Sequence, residues 1–449
     1  MHSLDDLRAG RLRGITRLNL KQGLTQFPED IFDLADSLEV LDLSDNALSD
    51  LPDDLHRLSQ LKVLFCSNNR FTHVPIGIGR CARLEAVGFK SNRITTLDAQ
   101  ALPASLRALI LTDNALQALP EALGDCTQLQ KLMLAGNRLR SLPASLARCQ
   151  RLELLRIASN GLSELPDWLL QMPRLAWLAY ADNPLPAGFV APPGAAPCAS
   201  VAWRDIELGH ELGRGASGVI HRARCTFQQA PLAVKLYKGA ITSDGSPLAE
   251  MSTYIAAGEH PQLVALAGRI DDHPQQLPAL AMQLIPADWH NLGGPPSLDS
   301  CTRDRYPAER QLSLPALRQL ASGIASVSAH LHARGISHGD LYAHNILCDS
   351  DGRCLLGDFG AASFHPPAPH PAGLALERLE VRAFGILLGE LLARCEPPDA
   401  DLQALARRCR QADVARRPLF SEVLTHLQQG SPARVTAQPA AQSTAMALD

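Results

Sequence analysis

The stretch His338-Gly339-Asp340-Leu341-Tyr342-Ala343-His344-Asn345, with Asp358-Phe359-Gly360 beginning thirteen residues beyond the asparagine, decides the reading of this chain. It offers one carboxylate, Asp340, able to orient an acceptor hydroxyl, and two oxygen ligands for divalent cations, Asn345 and Asp358. Moving a γ-phosphoryl group needs those parts, because the charge of a triphosphate must be neutralised while the attacking oxygen is aligned.

Working outward, Gly213-Arg214-Gly215-Ala216-Ser217-Gly218-Val219 fits a glycine-rich loop whose missing side chains let backbone N–H groups approach phosphates. Sixteen residues past Val219, Leu232-Ala233-Val234-Lys235 reads as a short buried strand carrying one lysine. Glu250, fifteen residues past Lys235, is the carboxylate placed to pair with it from the next helix, although counting back from His260-Pro261 points nearer to Met251. Singly, glycine turns, lysine-bearing strands and helical glutamates are common structural features. Their joint order is not, and with it the chain resembles the protein kinases.

That resemblance implies a set of roles. Asp340 would be the base, Lys235 would hold the α- and β-phosphates while paired to Glu250, and Asn345 and Asp358 would be the ligands of Mg2+ or Mn2+. Gly213, Gly215, Gly218, Val219 and Ala233 would surround ATP. In Leu280-Ala281-Met282-Gln283-Leu284-Ile285-Pro286, Met282 would be the gatekeeper, and the backbone of Gln283 and Ile285 would meet the adenine edge.

The departures from the family pattern bear on regulation and on the acceptor. Gly339 stands where many kinases have an arginine that binds a phosphorylated activation segment. Ser363 is the only hydroxyl-bearing residue of 361–379, and Pro366, Pro367, Pro369 and Pro371 hold much of that segment extended. Glu380-Val381-Arg382-Ala383-Phe384-Gly385 resembles the start of the large-lobe helix, which leaves no room for an Ala-Pro-Glu motif and leaves Arg417 in need of another partner. Tyr342 and His344 match neither the serine/threonine nor the tyrosine signature of the catalytic loop, and His-Gly-Asp-Leu-x-x-x-Asn also occurs in kinases of small molecules.

The first part of the chain carries a second pattern. Asn46, Asn69, Asn92, Asn114, Asn137, Asn160 and Asn183 recur every twenty-three residues, with one interval of twenty-two, inside Leu-x-x-Leu-x-Leu-x-x-Asn-x-Leu frames. This resembles a leucine-rich repeat array, and a degenerate opening unit at Ile15–Leu20 with Gly23 in the asparagine position makes eight repeats. Its leucines become core only when neighbours stack, and its asparagines satisfy loop backbone groups. Function would sit on the concave strand face, at Asp42, Phe65, Gly88, Ile110, Met133, Arg156 and Ala179. There Phe65, Ile110 and Met133 would form an exposed apolar strip for docking a protein.

These patterns predict an α/β leucine-rich repeat solenoid over 1–185, a proline-rich linker over 186–202, an α+β bilobal kinase-like domain over 203–428 and a disordered tail over 429–449. A formal charge of −4 argues against nucleic acid as a partner, and eleven cysteines without Cys-x-x-Cys pairing suggest reduced thiols. No apolar signal core opens the chain and no apolar run is long enough to span a bilayer, which separates it from plant-type receptor kinases and predicts a cytoplasmic protein. Abundant Ala, Leu and Arg suggest a high-GC bacterial source, with delivery into a host cell left open. The sequence therefore predicts an ATP-dependent serine/threonine protein kinase whose repeats dock the substrate. The alternatives are a kinase-like scaffold that does not turn over and a kinase of small-molecule hydroxyls.

Overall fold

The computed structural model describes residues 2–191, 198–215, 217–226, 231–238, 241–242, 244–295 and 304–429. Residues 192–197 of the expected linker, and the expected tail beyond Gln429, lie outside the described residues.

Eight three-residue strands, β1 (Arg17–Asn19) to β8 (Trp177–Ala179), form one parallel sheet in sequence order, one strand per repeat. The returning segments are mostly 3-10 turns, with short helices only at α1 (Leu4–Arg8) and α2 (Asp167–Leu170). The repeat explains the fold. Leucines such as Leu41, Leu64, Leu109 and Leu132 are fully or almost fully buried between neighbouring units. The asparagines join the units: Asn137 Nδ2 donates to Leu111 O and Leu134 O, both at 2.9 Å, and its Oδ1 accepts from Leu116 N at 3.0 Å. The residue before each of the seven asparagines has positive φ, among them Asp45, Asn68, Ser91, Asp113 and Asp182. Asn and Asp tolerate that turn better than most residues.

The second unit begins with an antiparallel five-stranded sheet: β9 (Ile206–Arg214), β10 (Gly218–Cys225), β11 (Pro231–Tyr237), β12 (Leu266–Ile270) and β13 (Ala279–Gln283), in spatial order β12-β13-β11-β10-β9. Helix α3 (Pro247–Ala257) follows β11. Ser246 caps it by accepting from Ala249 N, Pro247 takes the first helical position, and Gly258 at φ +66° ends it. The larger lobe is built on α4 (Leu314–Ala333), α5 (Pro371–Leu392), α6 (Ala400–Cys409) and α7 (Phe420–Gln429). Between α4 and α5 lie the catalytic-type loop and most of the short paired strands. β16 (Ile346–Cys348) joins β14 (His290–Asn291), which precedes α4, to β17 (Cys354–Leu356), and β15 (Ile336–Ser337) pairs with β18 (Ser363–Phe364). No helix among the described residues is long and apolar enough to cross a membrane.

Helix α5 differs from expectation. It starts at Pro371, nine residues before Glu380, so much of the segment predicted to be extended is helical. Pro371 occupies the first turn, where a missing N–H costs nothing, and His370 supplies the cap.

The two units share their cores. Leu376 and Leu379 of α5 and Val414 belong to the solenoid's buried cluster. Leu154, Ala176 and Trp177 of the solenoid belong to the larger lobe's. The exposed apolar strip on the concave face therefore needs correction. Ile110 is only 9% exposed, and the half-buried Met133 packs against the larger lobe's core. Phe65 and Met133 both stay partly exposed, Phe65 beside Val40, Val63, Ala86 and Ala108.

Candidate active site

The buried face of β11 carries Lys235 into the cleft, and the first turn of α3 brings Glu250 opposite, so that Lys235 Nζ and Glu250 Oε1 form an ion pair. Both side chains are largely buried, at 13% and 3% exposure. The partner is Glu250 and not the position that counting from His260 suggested. Burial raises the Glu250 carboxyl above its ordinary value, against the pull of Lys235.

Glycine does different work at the three loop positions. A Cβ on Gly218 would stand 2.4 Å from Leu236 O, so β10 and β11 approach too closely there for any side chain. Gly213 and Gly215 face open space instead, as room for a phosphate requires. Val219 is half-buried opposite Leu236, and Ala233 pairs with Met282 across β11 and β13, so the predicted gatekeeper sits beside one of the residues expected to surround ATP. Gln283 N–H is already used by Ala265 O at 2.9 Å, which restricts that residue's adenine contact to its carbonyl. Gln283 and Ile285 line a groove of about 660 Å3 with His260, Trp289 and Arg353.

Asp340, Asn345 and Asp358 meet at the other side of the cleft. Asn345 Nδ2 donates to Asp340 O at 2.8 Å and to Asp340 Oδ2 at 3.0 Å. Its amide oxygen is thereby left for a cation. Asp358 is exposed, at φ +54°, with Gly360 N on its Oδ1 at 3.1 Å. One amide oxygen and one exposed carboxylate suit Mg2+, which keeps several waters and takes phosphate oxygens as further ligands. Burial pushes the Asp340 carboxyl above its ordinary value, Arg156 pulls it down, and Asp244 and Asp358 add to the rise.

The loop is held from below by α5. Glu380 accepts from His338 N at 3.2 Å and Gly339 N at 2.7 Å, while His332 Nε2 meets the same carboxylate at 2.6 Å. Against the effect of burial, His332 and the neighbouring groups hold Glu380 below the usual carboxylate range. His338 packs edge-on against Phe359, and Phe359 stacks on Tyr254 of α3, a continuous apolar column from the loop to the helix that carries Glu250.

The repeats supply residues that sequence reasoning did not place here. Arg156, at the end of β7 (Leu154–Arg156), donates to Asp244 Oδ1 at 2.7 Å and Gly339 O at 3.0 Å and also pairs with the Asp340 carboxylate. Trp177 stacks on Tyr342 with centroids 4.7 Å apart and donates to Leu341 O at 3.1 Å. Tyr180 N donates to Ser363 Oγ at 3.2 Å, and Tyr180 OH to Phe364 O at 3.1 Å. Arg417 finds its other partners among three carbonyls, Gln411 O, Arg378 O and Pro173 O, the last from the repeats. The one available signal was a fully charged residue at a concave position amid apolar neighbours.

A family model of protein tyrosine and serine/threonine kinases matches residues 206–368, and a model of paired leucine-rich repeats matches residues 36–75. Among curated proteins the chain is similar to CBL-interacting protein kinase 22 of Oryza sativa subsp. japonica, 30% identical over 175 residues that cover 36% of this chain and 38% of that protein. It is also similar to a LEAF RUST 10 disease-resistance locus receptor-like protein kinase-like protein of Arabidopsis thaliana, 25% identical over 207 residues, 42% of this chain and 29% of that one. The chain thus spans well under half the length of these two relatives. A solved leucine-rich repeat protein of Leptospira interrogans matches 38% of this chain and 50% of its own at 28% identity, with a TM-score of 0.33.

Proposed function

We propose that this chain, which joins N-terminal leucine-rich repeats to a protein kinase domain, transfers the γ-phosphoryl group of ATP to a serine or threonine hydroxyl of a protein. The observation that carries the reading is the formed Lys235–Glu250 pair, an arrangement that active phosphoryl transfer requires. ATP with its Mg2+ would supply the electrophilic phosphoryl group. Lys235 would hold the α- and β-phosphates, Gly213 and Gly215 would admit them to the backbone, and Asn345 and Asp358 would hold the cation. Asp340 would orient the acceptor hydroxyl and take its proton. The part of the concave face around Phe65, which the second unit leaves partly exposed, would recruit the protein substrate.

A second reading, nucleotide binding without turnover, draws on one observation: both carboxylate oxygens of Asp340 already have partners, Asn345 and Arg156. Purified protein incubated with labelled ATP and Mg2+, followed by mapping of the phosphorylated residues, separates the two. Asp340→Asn and Lys235→Met should each lower transfer by at least about 10²-fold while the fold persists. Equal labelling by wild type and Asp340→Asn would reject the kinase reading.

A further inference from the structure

We propose that Arg156, delivered from the seventh repeat strand, is a positioning residue for phosphoryl transfer: it ties the lead-in of α3 to the Asp340 loop and so keeps the two lobes closed in working register. The inference deepens the kinase reading and rests on it.

The geometry is a three-way bridge. The Arg156 guanidinium, 2% exposed, touches Asp244 between β11 and α3 on one side, and Gly339 O and Asp340 on the other. Burial opposes its charge, and the two carboxylates more than offset that cost. The rest of the α3 lead-in also leans on the repeats. Ser246, the cap of α3, hydrogen-bonds to Asp182. A Cβ on Gly245 would lie 3.2 Å from that of Ala158, and one on Gly136 would lie 2.7 Å from Ile241 Cγ2. Three consecutive repeats therefore grip the segment that aims Glu250 at Lys235.

The chain has given up the alternative means of ordering this region. Gly339 offers no guanidinium to a phosphate, and Ser363 is buried under Tyr180. Arg156 brings a fixed cation to the same loop. A removable plug would need an interface able to open, but here the cores interpenetrate, with Leu154 and Trp177 in one and Leu376 and Leu379 in the other. Opening would expose apolar surface on both sides.

Full-length Arg156→Met, Arg156→Lys and Arg151→Met test this, the last changing an exposed arginine of the same repeat. Kinetics with ATP and hydrogen exchange without nucleotide are both measured. Arg156→Met should lose about 10²-fold in kcat, with the KM for ATP changing far less, and Arg156→Lys should recover part of the loss. Exchange should quicken in α3 and in 339–345, and Arg151→Met should match wild type in everything. A kcat in Arg156→Met equal to or above wild type overturns the proposal. If wild type shows no more transfer than Asp340→Asn, the kinase reading itself fails, and the exchange data then decide: unchanged protection of α3 in Arg156→Met removes the clamp as well. Should Arg156→Met not fold, Asp244→Asn and Arg156→Lys carry the same comparison.

Discussion

Replacing Gly339 by alanine should separate the repeats from the catalytic-type loop. Gly339 has φ +72°, and an added Cβ would stand 2.6 Å from Ala361 O and 2.7 Å from Leu178 O. Both obstacles are backbone atoms, one of them in β8, so neither yields as a flexible side chain would. The left-handed conformation costs a non-glycine residue about 1–2 kcal/mol, and overpacking a close contact adds about 1–3 kcal/mol. The sum, roughly 2–5 kcal/mol, is a large share of the 5–15 kcal/mol that usually separates folded from unfolded protein. At about 2–4 °C per kcal/mol for domains of 150–250 residues, the melting midpoint should fall by roughly 4–20 °C. Calorimetry on wild type, Gly339→Ala and Gly213→Ala checks this, since Gly213 has open space around it and should melt like wild type. Gly339→Arg, which would restore the common kinase residue, should be worse than alanine. If Gly339→Ala melts within about 1 °C of wild type, the close packing of Leu178 on this loop is wrong.

Two further outcomes are expected. Phosphatase treatment should leave transfer unchanged and mass spectrometry should find no phosphate on Ser363, which is fully buried; Ser363→Ala should keep activity but cost about 1–3 kcal/mol by orphaning Tyr180 N–H, and a tenfold loss of rate in folded protein would contradict this. His365 is pushed down to about 4, first by burial and then by His332, so between about pH 6.5 and 4 the unfolded chain binds a proton that the folded one refuses. Stability should therefore be flat in this respect above pH 6.5 and fall as pH drops toward 4, and His365→Asn should flatten that slope in thermal melts; parallel pH profiles would refute the assignment.

Much of this molecule was legible in one dimension because its determinants are local. A leucine or asparagine recurring at the period of a repeat can be satisfied only by an identical neighbour, so Asn137 announces both its own loop and the one before it. Gly218, Lys235, Asp340, Asn345 and Asp358 likewise sit in short segments whose spacing carries their meaning, and these segments meet at one cleft. The start of α5 was misjudged because prolines read as breakers unless their place in a first turn is known.

What stayed hidden lies between the two units. Arg156 and Asp340 are 184 residues apart, and nothing in the repeat frame distinguishes a concave arginine that faces water from one buried against a carboxylate. The same docking packs against Met133, buries Ser363 and gives Arg417 its third carbonyl, Pro173 O. It also adds to the reasons for Gly339, which from sequence looked like a loss: besides the positive φ and Ala361 O, Leu178 O of the eighth strand takes the space a side chain would need. Periodicity and motif spacing record what each unit demands of itself. The packing of one unit's core against the other's leaves no periodic trace, because it is set by shape and by which polar groups burial forces to pair.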